Sequence, residues 1–192
     1  MNSNIDVLKE LEVKNKEIYI NKLNIDLDTN LENLLITINN IIELLKDEFI
    51  SKISEITKND DNNHDVVAFQ NLIQERIIDL INKRTTILKD NITNIDNIDY
   101  KEVLNNATSE LFNNAQNLYK ENINPLIEKL NKGLDDFQKE RLSEYLNIIF
   151  YEKLMNKFKG VVNNLDVILY NNYQESYQKY LTLKEKNEKT LK

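Results

Sequence analysis

Residues 27–56 read LDTNLENLLITINNIIELLKDEFISKISEI. Leu31, Leu35, Ile38, Ile42, Leu45, Phe49 and Ile56 step by four and three, with Lys52 in the one vacant place. That period is helical, because residues three and four apart share a helix face. A second seam, Leu27, Leu34, Ile41 and Ile53, lies beside the first. Two adjacent seams make an apolar stripe broad enough for a helix with two or more neighbours, wider than a two-stranded coil needs.

Working outward, the same period continues. Residues 4–22 read as helix, with Leu8, Leu11 and Ile18 on one face, and 24–30 interrupt weakly, so one long helix and two helices with a kink are both open. Residues 58–65, KNDDNNHD, are polar and turn-forming. A helix is expected over 65–93 on Val66, Phe69, Ile73, Ile77, Leu80, Ile81 and Ile87. Residues 91–99, NITNIDNID, repeat Ile every third place and read as a loop with an apolar underside, and Asp99 with Glu102 resembles a capping box. The helix it starts carries Val103, Ala107, Leu111, Ala115 and Leu118 to about residue 122, and Asn124-Pro125 is expected to break it. The next helix is placed on Leu126, Leu130, Leu134, Phe137, Leu142, Tyr145, Leu146 and Ile149, with Gly133 inside it and Gly160 as its stop. The last runs over 162–188 with Leu165, Leu169, Tyr173, Tyr177 and Tyr180 on one face.

Composition narrows the alternatives. The chain has 192 residues with 24 Ile and 26 Leu, enough to build a core, but only two Gly and one Pro. Sandwiches, barrels and doubly wound α/β folds need turn residues far more often. Gly133 and Gly160 are too far apart for a glycine-rich phosphate loop. The absence of Cys removes disulfides, thiolate metal sites and cysteine nucleophiles. Asn is in excess at 32, against three Arg and three Ala, in keeping with AT-rich codons, and the Asn residues are dispersed along the chain. The net charge of −7, with no basic stripe, argues against non-specific nucleic-acid binding. No apolar run is long enough for a membrane span, and the N-terminus lacks the cationic flank and apolar run of a signal peptide, so an intracellular location is expected.

The chemistry-bearing residues are few. His64, the single histidine, sits among Asp60, Asp61 and Asp65 without a ligand partner at metal spacing. Asn59, Asp61, Asn63 and Asp65 alternate as in a calcium loop, but His64 stands where glycine is needed and Gln70 where glutamate is. Asp26 and Asp28 have the spacing of an aspartate-nucleophile motif, but no buried strand precedes them and no catalytic role is assigned. Arg76 falls near an apolar face, its stem expected to cover the core edge and its head to reach water. No carboxylate pair stands in an apolar setting that would shift its pKa.

The reading is therefore an all-α protein: an elongated, antiparallel bundle of four to six long helices over residues 1–192, with coiled-coil-like packing and residues 1–24 as a candidate N-terminal helical arm. Its expected function is non-enzymatic, structural or adaptor, by helix-mediated protein interaction or self-association, with no cofactor, metal or small-molecule substrate. The candidate partner-binding residues are Leu31, Leu35, Ile38 and Ile42 on the first stripe, and Leu169, Tyr173, Tyr177 and Tyr180 on the last helix, since tyrosine offers large area with a polar tip. The alternative is a peripheral membrane or lipid-associated bundle using Lys153, Lys157, Phe158 and Lys159.

Overall fold

The computed structural model describes residues 2–61 and 63–191. Four helical rods alternate in direction. Helix α1 spans Asn2–Thr57, α2 spans Asn63–Ile92 and α3 spans Tyr100–Leu130. The fourth rod is α4, Asp136–Glu144, continued by a π-helical turn, Tyr145–Ile149, into α5, Phe150–Leu191. A short 3-10 turn, Ile95–Asn97, lies between α2 and α3. Each rod neighbours two others: α1 lies against α2 and α5, and α3 against α2 and, most loosely, α5.

The Asn24–Asn30 region does not interrupt α1. Leu23, Leu27 and Asn30 all face inward there, so packing carries the helix through a weak propensity. Asn30 keeps its core place by donating from Nδ2 to the Leu165 carbonyl, 3.2 Å away. The loop after α1 is shorter than the sequence predicts: α2 begins at Asn63, so His64 and Asp65 lie in its first turn. Asp99 caps α3 as expected, its side chain accepting from the Glu102 backbone N–H. Ile92 and Ile95 form the expected apolar underside of the connection.

Three expectations are corrected together. Pro125 does not break α3, which runs through it to Leu130. Proline removes the hydrogen bond to Glu121, but both residues are exposed, where water can take the freed carbonyl, while Leu126 and Leu130 anchor the final turns in the core. The reversal instead falls at 131–135, where Gly133 adopts φ +77°, a left-handed conformation that suits glycine. Asp135 then starts α4 with a full capping box to Gln138. Gly160, expected as a stop, lies exposed within α5.

The π turn has a visible cause. Leu142, Leu146, Phe150, Leu154, Phe158 and Val162 are all buried at intervals of four. A run of fours rotates about 40° per step around a straight α-helix, and one inserted residue takes the drift back. The turn frees the Leu146 carbonyl, and the buried Tyr119 hydroxyl donates to it at 2.5 Å. It also turns Ile149 outward, and Phe137, on the outer side of α4, is 69% exposed, so neither joins the core.

Two apolar clusters fill the bundle. One holds Phe49, Phe69, Tyr119 and Phe158 with their aliphatic neighbours. The other lies at the end where α2 connects to α3, and packs Tyr19, Leu23, Ile95, Tyr100, Leu169 and Tyr180. Lys16 pairs with Asp96 of the 3-10 turn, and the Tyr180 hydroxyl reaches the same carboxylate. Beyond this level α1 and α5 continue without cover from α2 or α3.

Candidate functional site

The tyrosines of α5 meet partners inside the bundle. Tyr173 stacks on Tyr100 with ring centroids 4.3 Å apart, and Tyr180 stacks on Tyr19 at 5.5 Å. Tyr177 sits between Tyr173 and Tyr180. Burial, reinforced by the neighbouring tyrosines, pushes the Tyr19 hydroxyl well above its ordinary pKa, so it stays neutral. Leu169 and Tyr180 are buried, and Tyr173 and Tyr177 half-buried. On α1, Ile38 and Ile42 are buried and Leu31 and Leu35 half-buried against the same core. These eight candidates build the bundle's interior seams and leave no broad open face in one copy of the chain.

The four membrane candidates have separate surroundings. Phe158 is buried, Lys153 pairs with Glu48 of α1, Lys159 lies over the Phe112 ring and Lys157 is exposed. Among the described residues no helix is long and apolar enough to cross a membrane, and no group of three His, Asp or Glu could hold a metal ion.

The buried arginine of α2 is Arg84. Arg76 is exposed, whereas Arg84 is 3% exposed. Arg84 reaches across the bundle to Asp166 of α5, Nη2 to Oδ1 at 2.9 Å, and Thr108 of α3 donates to Oδ2 at 2.6 Å. Three helices are tied at one level. Burial raises the Asp166 pKa, opposed by the Arg84 charge and by the hydrogen bonds from Thr108 and Arg84. This is the carboxylate in an apolar setting that sequence reading missed. An aspartate one residue past a Leu-rich face carries no local mark, and its partner is far away in the chain.

Two surfaces stand uncovered. The first is the outer face of α1, where Val7, Leu11, Ile18 and Ile25 are exposed at intervals of four, seven and seven, Ile18 by 67%. Their spacing places them on one line down the helix. Leu11 and Ile18, read as one face with the half-buried Leu8, point outward. Asp6, Glu10 and Glu17 each precede a member of this line, are exposed, and form no ion pair among the described residues. Successive residues are about 100° apart, so these three acids run along one flank, and the exposed Lys14 and Lys22 lie nearer the line, one on either side of it.

The second surface is the loosely closed seam between α3 and α5. It opens into a groove of about 490 Å³ with Leu104, Phe112, Val167 and Tyr170 along it and Asp166 at its floor. Three lysines bridge the seam over aromatic rings of the opposite helix: Lys101 on Tyr170 at 5.7 Å, Lys159 on Phe112 at 5.7 Å and Lys120 on Tyr151 at 5.8 Å. The charged side chains lining the groove are Lys101 and Asp166, and Asp166 is neutralised by Arg84.

Neither a protein-family model, nor a curated protein, nor a solved structure matches this chain.

Proposed function

We propose that this chain is a non-enzymatic helical module that works by helix packing against protein, including further copies of itself, through the outer face of α1. The observation that carries this reading is the exposed line Val7, Leu11, Ile18 and Ile25 on the side of α1 away from the core. An exposed apolar side chain repeated at each second turn offers a partner one strip of contact along the helix. A line at heptad intervals suits a second helix.

Light scattering of the purified chain over a concentration series tests it. The expected mass exceeds the 22.7 kDa of one chain. The double substitution Leu11→Asp with Ile18→Asp is expected to return it to that of one chain, with helical circular dichroism unchanged. A wild-type chain that stays monomeric up to about 0.2 mM, where any tighter self-affinity would show, refutes self-association.

A further inference from the structure

We infer that Tyr100 and Tyr173 are a site of oxidative cross-linking, at which a one-electron oxidant joins the two rings and so ties α3 covalently to α5. Six of the nine tyrosines form one connected column at the end where α2 connects to α3. Along α5, the Tyr173 ring lies 6.4 Å from Tyr170 and 5.5 Å from Tyr177, and Tyr177 lies 6.3 Å from Tyr180. Tyr100 and Tyr19 pack on this row from α3 and α1. The Tyr100–Tyr173 contact is the closest in the column, with centroids 4.3 Å apart and planes within 11° of parallel.

Composition directs one-electron oxidation to this column. The chain has no Cys and no Trp. Its two Met are oxidised by oxygen transfer to the sulfoxide, so tyrosine is the side chain left to give up single electrons. Tyr170 and Tyr177 are half-buried, so the electron vacancy has an entrance at the surface and passes inward through rings in contact. The step balances. Each phenol loses one electron to the oxidant and its hydroxyl proton to water, leaving a phenoxyl radical with spin on the carbons ortho to oxygen. Two ortho carbons, one from each ring, pair their spins in a new C–C bond. The hydrogen on each then shifts to its phenol oxygen as the ring regains aromaticity. Two electrons and two protons leave in all, and two equivalents of the oxidant take the electrons. Holding the rings in contact makes the coupling unimolecular and favours it over coupling between chains. The bond crosses the seam between α3 and α5, the most loosely joined of the neighbouring rods. A cross-link over so long a loop stabilises by restricting the unfolded chain.

Photo-oxidation of the dilute full-length chain by a ruthenium polypyridyl complex with persulfate tests the assignment. The expected product has the mass of one chain, shows dityrosine fluorescence, and joins tryptic peptides 90–101 and 160–179, of which the first holds Tyr100 as its one tyrosine. Tyr100→Phe and Tyr173→Phe each keep the ring, and each is expected to lower the yield of that product at least about tenfold. Tyr151→Phe, beside the other cluster, should leave it unchanged. The cross-linked wild type should melt about 10 °C above the untreated chain. A wild-type product whose bond joins other tyrosines, or joins separate chains, overturns the assignment, as does a yield that Tyr100→Phe leaves intact.

Discussion

Arg84 and Asp166 show how much a single buried charge depends on its partner. Removing one leaves the other desolvated and unpaired, which costs about 3–5 kcal/mol, whereas replacing both by apolar groups of similar volume is often neutral or stabilising. We predict that Arg84→Met and Asp166→Leu each lower the denaturation midpoint strongly, and that the two together recover most of the loss. Chemical denaturation of the four chains as a mutant cycle measures it. The direction of the Asp166 shift also fixes a pH effect. Its folded pKa lies above the unfolded one, so the folded chain binds the extra proton. This group's contribution to stability therefore rises as pH falls through the window just above the ordinary Asp value of about 4. The wild type should gain relative to an Asp166→Asn chain across that window in denaturation series at stepped pH. The two glycines make a paired prediction. Gly133→Ala places a side chain at φ +77° and should cost about 1 kcal/mol, while Gly160→Ala, in an exposed helical place with open space around it, should stabilise by up to about 1 kcal/mol.

Among the elements, the fourth rod is the instructive one. Its core residues recur every four places from Leu142 to Val162, which an unbroken α-helix cannot keep on one face. The π turn supplies the correction and Tyr119 satisfies the carbonyl that it releases. Deleting the exposed Asn147 removes the inserted residue and should convert the turn to regular helix, with both flanking faces still inward. Deleting the exposed Asn156, within regular helix, should rotate everything beyond it by about 100° and turn Phe158, Val162 and Leu169 out of the core. Thermal melts of the two deletion variants separate these outcomes: a cooperative transition for the first and none, or a greatly lowered one, for the second.

Across the whole molecule, α1 and the fourth rod are the long members and α2 and α3 the short ones. Their unequal lengths leave the N-terminal stretch of α1 beside α5 without α2 or α3, and the loose α3–α5 seam leaves a groove. Self-association through α1 rests on its exposed apolar line, and exposed charges are screened beyond about 10 Å at 0.1 M salt. Self-association should therefore persist when salt is raised to about 0.5 M, because apolar burial is not screened. Light scattering at stepped ionic strength measures the slope.

Sequence alone determined the class of fold. The steps of three and four through Leu27–Ile56, the capping pair Asp99 and Glu102, and the scarcity of Gly and Pro are local signals, and a helix is a local structure whose hydrogen bonds join residues four apart. Tertiary structure decided where those helices end and which faces remain open. Pro125 is tolerated because its freed carbonyl partner faces water, Gly133 forms the turn because helix α4 must fold back there, and Gly160 stays helical because packing on either side holds it. The tyrosines of 173–180 have the period of a binding face, which is visible in sequence, but Tyr19 and Tyr100, which cover them, come from elements far away in the chain. The pairing of Arg84 with Asp166 and the opening between α3 and α5 belong to the same category. Both depend on which helix faces which, a relation between distant residues that no window of sequence contains.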